Sequence, residues 1–277
     1  MKIIDQLGGK NAMVVGVGSA LMDILAHEDD DFLRKTGIRK GGMTLVDKSF
    51  IEQVLALTAR RPSLVPGGSA CNTVVGISRL GGRSRFVGKC GNGDWGKRYR
   101  QDLMRQQVDA VLFPSDSPTG RVLSVITPDA QRSMATFLGA SSECRPEELK
   151  NGCFADAAIV HIEGYLLFNP ELILAAVATA RAAGALISLD LASYTVVEGA
   201  RDLLDRLVTE SVDIVLANED EARAFTGVDD ELEALEILSQ KTAIAVVKVG
   251  ERGSYAAWED QRLKIDPLGP HPAVDTT

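Results

Sequence analysis

The chain has 277 residues, of which 45% are hydrophobic and 25% are charged, and its formal net charge is −8. These values are ordinary for a folded globular protein, and the length suits one large domain. The negative charge and the lack of any basic run exclude a nucleic-acid backbone as the expected partner, and no apolar run approaches the ~20 residues that a membrane span needs.

The four cysteines, Cys71, Cys90, Cys144 and Cys153, show no CxxC spacing. The sequence therefore predicts neither a disulfide framework nor a zinc site. The N-terminus lacks the architecture of a signal peptide. Together these features predict a cytoplasmic protein with reduced thiols that does not associate with a membrane.

The first predicted element is a short buried strand at residues 12–17, followed closely by Gly18. Gly16 and Gly18 invite comparison with a dinucleotide-binding turn, but Leu21 stands where the third glycine of that motif is needed. An NAD-dependent enzyme that uses this turn stays as an alternative. Asp23 follows the strand, where a carboxylate can simply cap the next turn.

The segment between residues 29 and 58 is predicted to alternate helix and strand. The acidic run at residues 29–31 indicates a solvated face or the start of a helix. Gly41 and Gly42 predict a turn into a short strand at residues 43–46, and residues 49–58 predict an amphipathic helix.

The most informative stretch is residues 66–94, PGGSACNTVVGISRLGGRSRFVGKCGNGD. Gly67 and Gly68 precede Ser69, a good N-cap for a helix that ends at a second glycine pair. Glycines before a helix let a ligand approach the bare backbone, whose N–H groups favour oxygen-rich ligands. Asn72, in the first turn, can offer a donor and an acceptor to a hydroxylated ligand. A tight loop that merely lets the helix pack on a sheet is the alternative.

Beyond this stretch the pattern changes from helical to alternating. Residues 94–107 carry apolar side chains at helical spacing, among them Tyr99, and predict a surface helix without a functional role. Residues 122–127 and 133–138 are β-rich runs separated by a Pro-Asp turn. They predict a hairpin with Arg132 at its base.

From residue 144 onward, strand and helix patterns alternate. Strands are predicted at residues 157–162, 186–189, 213–217 and 243–249, and helices at residues 170–183, 200–209, 219–226 and 231–241. This alternation predicts a mostly parallel, Rossmann-like central sheet flanked by helices. Such sheets bind ligands at the carboxyl ends of their strands. The polar residues at those ends are Glu163, Asp190, Asn218, Glu221 and Lys248.

The motif GGSACNT, the helix ending in LGG, and FVGKCGNGDWG together resemble the N-terminal signature of the ribokinase-like (PfkB) family of carbohydrate and nucleoside kinases. The match extends over residues 66–94 and is far more specific than a lone glycine motif. The resemblance implies an enzyme that uses ATP and Mg²⁺ to phosphorylate a primary hydroxyl of a sugar or of a nucleoside's ribose.

The same resemblance implies the organisation of the chain. It implies one α/β domain over residues 1–277 with a small β-sheet lid formed by segments at about residues 29–47 and 119–139. The pattern DDDFL…GGMTLVD, close after GSALMDI, is most similar to the adenosine-kinase-like branch. An adenosine-like acceptor is therefore favoured, and a free sugar of the ribose or fructose type is the alternative.

The resemblance also implies an acceptor site. Gly67, Gly68 and Asn72 match positions that contact the acceptor's hydroxyls. Asp23, in GSALMDI, matches an aspartate that binds two hydroxyls, and a carboxylate suits this role because its two oxygens accept two donors side by side. Arg132 is either a surface charge or a group that neutralises phosphate charge when the lid closes.

The nucleotide site is implied by two further motifs. Asn218 is a reasonable helix N-cap followed by acids that suit the helix dipole. With Glu221 it also matches the family's N-x-x-E motif, which positions Mg²⁺ through water. Lys248, Gly250 and Gly253 lie in KVGERG, which resembles the glycine-bearing turn of the family's nucleotide site. The sequence has no Walker A motif, which excludes a P-loop kinase.

The final residues, VDTT, look like the opening of the family's second signature, in which D-T-T leads into G-A-G-D. In that signature the glycines begin a helix that stabilises the transferred phosphoryl group, and the aspartate is the general base. We therefore expect the general base to lie beyond Thr277, and Asp275 not to replace it. The C-terminal part is expected to be missing, and the 277-residue chain is expected to be inactive.

Two questions stay open at this level. A non-catalytic ligand-binding module is the alternative function if the polypeptide truly ends at Thr277. The expected partner is a small sugar or nucleoside, and the chain is expected to be a monomer or a homodimer formed through the lid.

Overall fold

The computed structural model describes residues 12–267 and 269. The strands, in chain order, are β1 (Met13–Val17), β2 (Leu21–His27), β3 (Met43–Leu45), β4 (Ser63–Gly67), β5 (Arg83–Gly91), β6 (Asp109–Ser115), β7 (Gly120–Ile126), β8 (Arg132–Phe137), β9 (Ala157–Glu163), β10 (Leu186–Asp190), β11 (Ile214–Asn218), β12 (Ile244–Lys248), β13 (Ser254–Trp258) and β14 (Gln261–Ile265). The α-helices are α1 (Asp30–Thr36), α2 (Lys48–Leu55), α3 (Ser69–Arg79), α4 (Asp94–Arg105), α5 (Pro170–Ala182), α6 (Tyr194–Gly199), α7 (Arg201–Glu210), α8 (Glu219–Thr226) and α9 (Glu231–Ser239).

The larger sheet has the strand order β14-β13-β12-β11-β10-β9-β1-β5-β6. The strands from β12 to β6 run parallel, and β13 and β14 add an antiparallel edge. Its central strands are continuous apolar runs, and Val15, Val160, Ile187 and Val215 are fully buried. Runs of this kind are typical of a parallel sheet that helices cover on both faces. The predicted mixed α/β class with a mostly parallel sheet and a smaller second sheet is confirmed.

The second sheet has the order β3-β8-β7-β2-β4. The chain passes from the larger sheet to the second one within three residues, because β1 ends at Val17 and β2 begins at Leu21. Helices α1 and α2 contribute Phe32 and Ile51 to an apolar core that also contains Leu123 of β7. One face of the second sheet thus packs against helices α1 and α2, and its other face lines a cavity.

The second sheet differs from its prediction in which segments build it. The longest element in the segment at residues 29–47 is helix α1, for which the Asp29 carboxylate accepts a hydrogen bond from Phe32 N at 2.8 Å. Only the short β3 joins the sheet. Strands β2 and β4 were not predicted, although both belong to this sheet. The LMDILAH segment of β2 begins only four positions after the last residue of β1. For this reason the sequence does not show that a second strand begins there.

Two local predictions were wrong for physical reasons. The N-cap of α3 is Gly68, and Ser69 is the first helical residue, with no side-chain cap. Gly68 has φ +101°, which suits glycine, and a Cβ there would collide with the Ser19 carbonyl oxygen. The edge strands β6 and β14, and β13 next to β14, were not predicted either. Every residue of β14 is exposed, so no alternation marks it as a strand.

None of the helices among the described residues is long and apolar enough to cross a membrane. The four cysteines are all buried and free.

Candidate active site

A cavity of about 940 Å³ opens between the carboxyl ends of the larger sheet and the uncovered face of the second sheet. Of the five predicted acceptor-binding residues, four line it: Asp23, Gly68, Asn72 and Arg132. Gly67 lies directly behind Asp23, since a Cβ on Gly67 would collide with the Asp23 carboxylate. The other lining residues include Ser19, Met43, Leu45, Val122, Met134, Thr136, Glu163, Tyr165 and Phe168.

Asp23 does not stand at the end of the first strand, as the sequence suggested, but inside β2 of the second sheet. The residue is 6% exposed, and its Oδ2 accepts a hydrogen bond from Arg132 Nη2 at 3.0 Å. Arg132 Nε also donates to Ser124 Oγ at 3.0 Å. The two charges form a buried pair, in which each charge compensates the other for the loss of contact with water.

Glu163 is the polar residue at the end of β9. It binds a backbone N–H at the start of α3, where the sequence predicted a ligand. It is 1% exposed; Oε1 accepts a hydrogen bond from Ser19 N at 2.8 Å, and Oε2 accepts one from Ala70 N at 3.2 Å. Burial raises the pKa of this carboxyl above its usual value. A backbone N–H at the start of α3 is thus satisfied by the protein's own carboxylate. The sequence signal that points to Glu163 is an acidic residue at the carboxyl end of a buried strand.

The glycines of the turn after β1 serve internal packing. A Cβ on Gly16 would meet Val74 Cγ1 at 2.7 Å and the Ala70 carbonyl oxygen at 2.9 Å. A Cβ on Gly18 would collide with the Glu163 carboxylate. Close packing of helix α3 and Glu163 therefore accounts for both glycines. The spacing of Gly16 and Gly18 needs no bound dinucleotide to explain it.

Helix α4 is not the simple surface helix that its sequence predicted. Tyr99 and Leu103 are both fully buried, whereas Met104 is 67% exposed. The Tyr99 hydroxyl donates a hydrogen bond to the Gly67 carbonyl oxygen at 3.1 Å. The many charged residues of this helix concealed a narrow buried face that lies directly behind the predicted acceptor loop.

Asn218 and Glu221 form a reciprocal cap at the start of α8. The Asn218 Oδ1 accepts a hydrogen bond from Glu221 N at 2.8 Å, and Glu221 Oε2 accepts one from Asn218 N at 2.8 Å. Glu221 Oε1 also accepts a hydrogen bond from Asn218 Nδ2 at 2.9 Å. Burial raises the pKa of Glu221 to about 7.

Lys248 is paired with a carboxylate two strands away. Its Nζ lies 2.8 Å from Asp190 Oδ2, so the contact crosses the end of β11. Burial acts to lower the pKa of Lys248, but the charge of Asp190 and its hydrogen bond raise the pKa above its usual value. The cation is therefore held at the carboxyl edge of the sheet.

The two glycines of the predicted nucleotide turn differ in their surroundings. Gly250 has φ +53° and open space where a Cβ would stand. Gly253 has φ +93°, and a Cβ there would collide with the Ile265 carbonyl oxygen of β14. None of Asn218, Glu221, Lys248, Gly250 and Gly253 lines the 940 Å³ cavity. The structure therefore places the two predicted sets of residues in separate regions along the same edge of the sheet.

No group of three or more metal-ligating side chains occurs within residues 12–267. Mg²⁺ usually binds one or two protein carboxylates together with substrate phosphates and water. Asp190 and Glu221 fit that pattern better than a dedicated protein cage, since Asp190 is paired with Lys248 and Glu221 with Asn218.

Residues 41–277 match the pfkB family carbohydrate kinase. The crystal structure of adenosine kinase from Sinorhizobium meliloti is 32% identical, with a TM-score of 0.88, and the similarity covers 97% of this chain and 84% of that one. A probable sugar kinase protein from Rhizobium etli CFN 42 is 31% identical, with a TM-score of 0.90, over 97% of this chain and 83% of that one.

Curated relatives include kinases for nucleosides and for sugars. The guanosine-inosine kinase of Escherichia coli (strain K12) is 27% identical over 94% of this chain and 64% of its own length. The probable fructokinase-4 of Arabidopsis thaliana is 29% identical over 76% of this chain and 68% of its own length. The chain thus spans about two thirds of these relatives. With the family match over residues 41–277, the chain belongs to the pfkB family of carbohydrate kinases.

Proposed function

We propose that this protein is an ATP-dependent kinase that transfers the γ-phosphoryl group to a primary hydroxyl of a sugar or of a nucleoside's ribose, with an adenosine-like acceptor favoured. The observation that carries the proposal is the cavity in which Asp23, Gly68 and Asn72 lie together. A carboxylate, an exposed glycine backbone and a carboxamide are groups that bind hydroxyls. The 32% identity to an adenosine kinase over 97% of the chain supports the class of reaction.

The walls of the cavity support a nucleoside over a free sugar. Met43, Leu45 and Phe168 line it and are 37%, 60% and 60% exposed. Large apolar side chains left open to a cavity gain from contact with an apolar, planar ligand group. A nucleoside carries hydroxyls at one end and a flat base at the other, whereas a free hexose carries hydroxyls on all sides.

In the proposed reaction the primary hydroxyl oxygen forms a bond to the γ-phosphorus, and the bond from that phosphorus to the bridging oxygen of ADP breaks. Asp23 orients the acceptor by accepting hydrogen bonds from its hydroxyls, and Arg132 holds that carboxylate in place through a hydrogen bond to Oδ2. The hydroxyl proton passes to a general base. The base expected beyond Thr277 stays a prediction, and Asp275 lies outside the described residues.

We assign the nucleotide to the second group of residues. Lys248 offers a cation for the phosphates, and Gly250 and Gly253 offer backbone at positive φ. Mg²⁺, which neutralises charge on the phosphates, would be held by those phosphates and by water, with Glu221 as an indirect contact. The hydrogen bonds that Asn218 makes to both Glu221 oxygens orient that carboxylate.

We further propose that the second sheet acts as a lid within a single domain. Met43, Leu45 and Thr136, within the predicted lid segments at residues 29–47 and 119–139, lie on the wall of the cavity. A cytoplasmic location is supported by the four buried free thiols. A monomer and a homodimer formed through the lid are both compatible with this arrangement.

The test combines equilibrium binding with turnover. Adenosine, guanosine, inosine, ribose and fructose are offered to the protein, and calorimetric binding and acceptor-dependent ADP release are measured. We expect a nucleoside to bind most tightly. Phe168→Ala should weaken nucleoside binding and leave sugar binding unchanged, because Phe168 lies on the apolar wall.

Three outcomes separate the alternatives. Binding of free sugars alone would move the protein to the sugar-kinase branch. Acceptor binding without nucleotide binding would indicate a non-catalytic ligand-binding module, and binding of NAD in place of ATP would contradict the kinase assignment.

A further inference from the structure

Tyr99 is a buried polar side chain to which the proposed reaction assigns no role. It lies on α4 and is fully buried, and its hydroxyl donates to the Gly67 carbonyl oxygen at 3.1 Å. Burial raises the pKa of this phenol well above its usual value, so the hydroxyl keeps its proton and remains a donor. The residue that receives this hydrogen bond is the first of the two loop glycines.

The other end of the loop lies in the same buried cluster as Tyr99. Cys71, in the first turn of α3, belongs to that cluster together with Phe86. Burial raises the pKa of the Cys71 thiol to about 12, so the thiol keeps its proton and adds no charge beside the phenol. Tyr99 thus hydrogen-bonds the last residue of β4 and shares an apolar cluster with the first turn of α3. The loop between these two points is Gly68, Ser69 and Ala70.

The geometry of the peptide bond links this contact to the cavity. The described residues contain no cis peptide bond, and in a trans peptide the carbonyl and the N–H lie on opposite sides. Because Tyr99 holds the Gly67 carbonyl oxygen on the side of α4, the N–H of Gly68 lies on the side away from α4. Gly68 lines the cavity and has φ +101°. Gly67 is paired with Leu21 in the β2–β4 ladder, and the Gly68 carbonyl oxygen accepts a hydrogen bond from Asn72 N at 2.9 Å. The peptide between the two glycines lies where the strand gives way to the helix, and Tyr99 contacts its carbonyl oxygen directly.

We propose that Tyr99 is a positioning residue for the acceptor: its hydroxyl sets the orientation of the Gly67–Gly68 peptide and so holds the hydroxyl-binding loop in its binding conformation. The inference rests on the proposed function, because it assigns the loop to acceptor binding. Tyr99 acts through the loop backbone and does not itself line the cavity.

Packing and hydrogen bonding by Tyr99 can be separated experimentally. The ring packs against Phe86 with 6.0 Å between centroids and an angle of 59° between the ring planes. Tyr99→Phe keeps this contact and removes only the hydroxyl. Phe86→Leu is the matched control, since it disturbs the same packing and leaves the hydroxyl in place. Cys71→Ser is a second control, since it changes another buried residue of the same cluster and leaves the Tyr99 hydroxyl in place.

The experiment measures calorimetric dissociation constants for the best-binding nucleoside and for a non-hydrolysable ATP analogue, together with thermal midpoints. Tyr99→Phe should raise the acceptor dissociation constant by about three- to tenfold, the effect of losing one neutral hydrogen bond, and change the nucleotide constant by less than about twofold. Phe86→Leu should lower the thermal midpoint and leave acceptor binding within about twofold of wild type. Cys71→Ser should bind the acceptor as the wild type does.

Unchanged acceptor binding by Tyr99→Phe would overturn the inference, as would an equal loss of acceptor and nucleotide binding. If Tyr99→Phe does not fold, Tyr99→Leu replaces it, because it also removes the hydroxyl, and wild-type acceptor binding by that variant would also overturn the inference. If the wild-type protein binds no nucleoside or sugar, the proposed function itself is refuted. This result is obtained before any variant is measured, so it is distinct from a failure of the inference about Tyr99.

Discussion

At the acceptor end of the site, Asp23 and Arg132 have side chains that are 8% and 11% exposed, and they lie 3.0 Å apart. At the nucleotide end, Lys248 and Asp190 are 46% and 15% exposed and lie 2.8 Å apart. The two ion pairs have similar geometry but different access to water. A buried pair loses several kcal/mol when one partner is removed, whereas an exposed pair loses about 1 kcal/mol or less.

The glycines show the same difference. Gly67 and Gly68 have no room for a Cβ, because the Asp23 carboxylate and the Ser19 carbonyl oxygen occupy that space. At the proposed nucleotide end Gly250 has open space, although a Cβ on Gly253 would collide with the Ile265 carbonyl oxygen. Changes at Gly67 and Gly68 are therefore expected to disturb folding and binding together, whereas Gly250 should tolerate a side chain with little effect on packing. Substitutions at matched positions can test this contrast.

The largest contrast is expected between Gly68→Ala and Gly250→Ala. Gly68→Ala combines an unfavourable φ with a collision against backbone and should weaken acceptor binding by at least about 100-fold. Gly250→Ala meets no neighbouring atom and should lower the free energy of unfolding by about 1–2 kcal/mol, with little effect on acceptor binding. Calorimetry and urea unfolding measure both effects. Equal effects of the two substitutions on acceptor binding would contradict the contrast.

The second prediction compares two acceptor-binding side chains. Asp23→Ala should weaken acceptor binding by about 1.5–3 kcal/mol and also lower the free energy of unfolding by about 3–5 kcal/mol, because Arg132 is left buried without Asp23. Asn72→Ala should weaken acceptor binding by about 0.5–1.5 kcal/mol and barely change stability, since Asn72 is exposed.

The double substitution Asp23→Ala/Arg132→Met controls for the buried charge. It should regain part of the lost stability without regaining acceptor binding, because the unpaired cation is removed while the hydroxyl-binding carboxylate stays absent. Nucleotide binding should be unchanged in all of these variants. Wild-type acceptor binding by Asp23→Ala would show that its place in the site is wrong.

A smaller effect is expected at Lys248. Lys248→Met should raise the dissociation constant for ATP about tenfold, because a cation facing the phosphates is lost, and change the free energy of unfolding by less than about 1 kcal/mol. Asp190→Asn is the matched control, since it keeps the cation and removes its partner, and it should retain nucleotide binding. If Lys248→Met lost more affinity for the acceptor than for the nucleotide, the assignment of Lys248 to the nucleotide site would be wrong.

The last prediction concerns the pH dependence of stability due to Glu221, whose pKa burial raises from 4.5 to about 7. Between these pH values the folded state binds more protons than the unfolded state, so the contribution of Glu221 to stability falls as the pH rises. The fall amounts to at most about 3 kcal/mol. Glu221→Gln retains a capping side chain and should show a flatter stability profile between pH 5 and 7.5 in urea unfolding. Identical profiles for the two proteins would refute the assigned pKa.

Local sequence patterns were enough to predict the repeating part of the fold. Helix α8 was predicted with its observed bounds, and strands β9 to β12 were predicted to within two residues at each end. These predictions depend on residues that are close together in the sequence: the period of apolar side chains, the capping residues, and the glycines that end helices. Such signals are visible without knowledge of the tertiary structure. The glycines at Gly67 and Gly68 likewise marked the turn between β4 and α3, and their contact with a ligand stays a prediction.

The contacts that define the candidate site are of another kind. Arg132 reaches Asp23 across 109 residues of chain, and Glu163 reaches Ser19 and Ala70 across 144 and 93 residues. Tyr99 was taken for a surface residue and lies behind the acceptor loop instead. Which strands are neighbours, and which face of each helix is covered, depend on packing of the whole chain. Local periodicity therefore places these side chains on their elements, and only the tertiary structure brings them together.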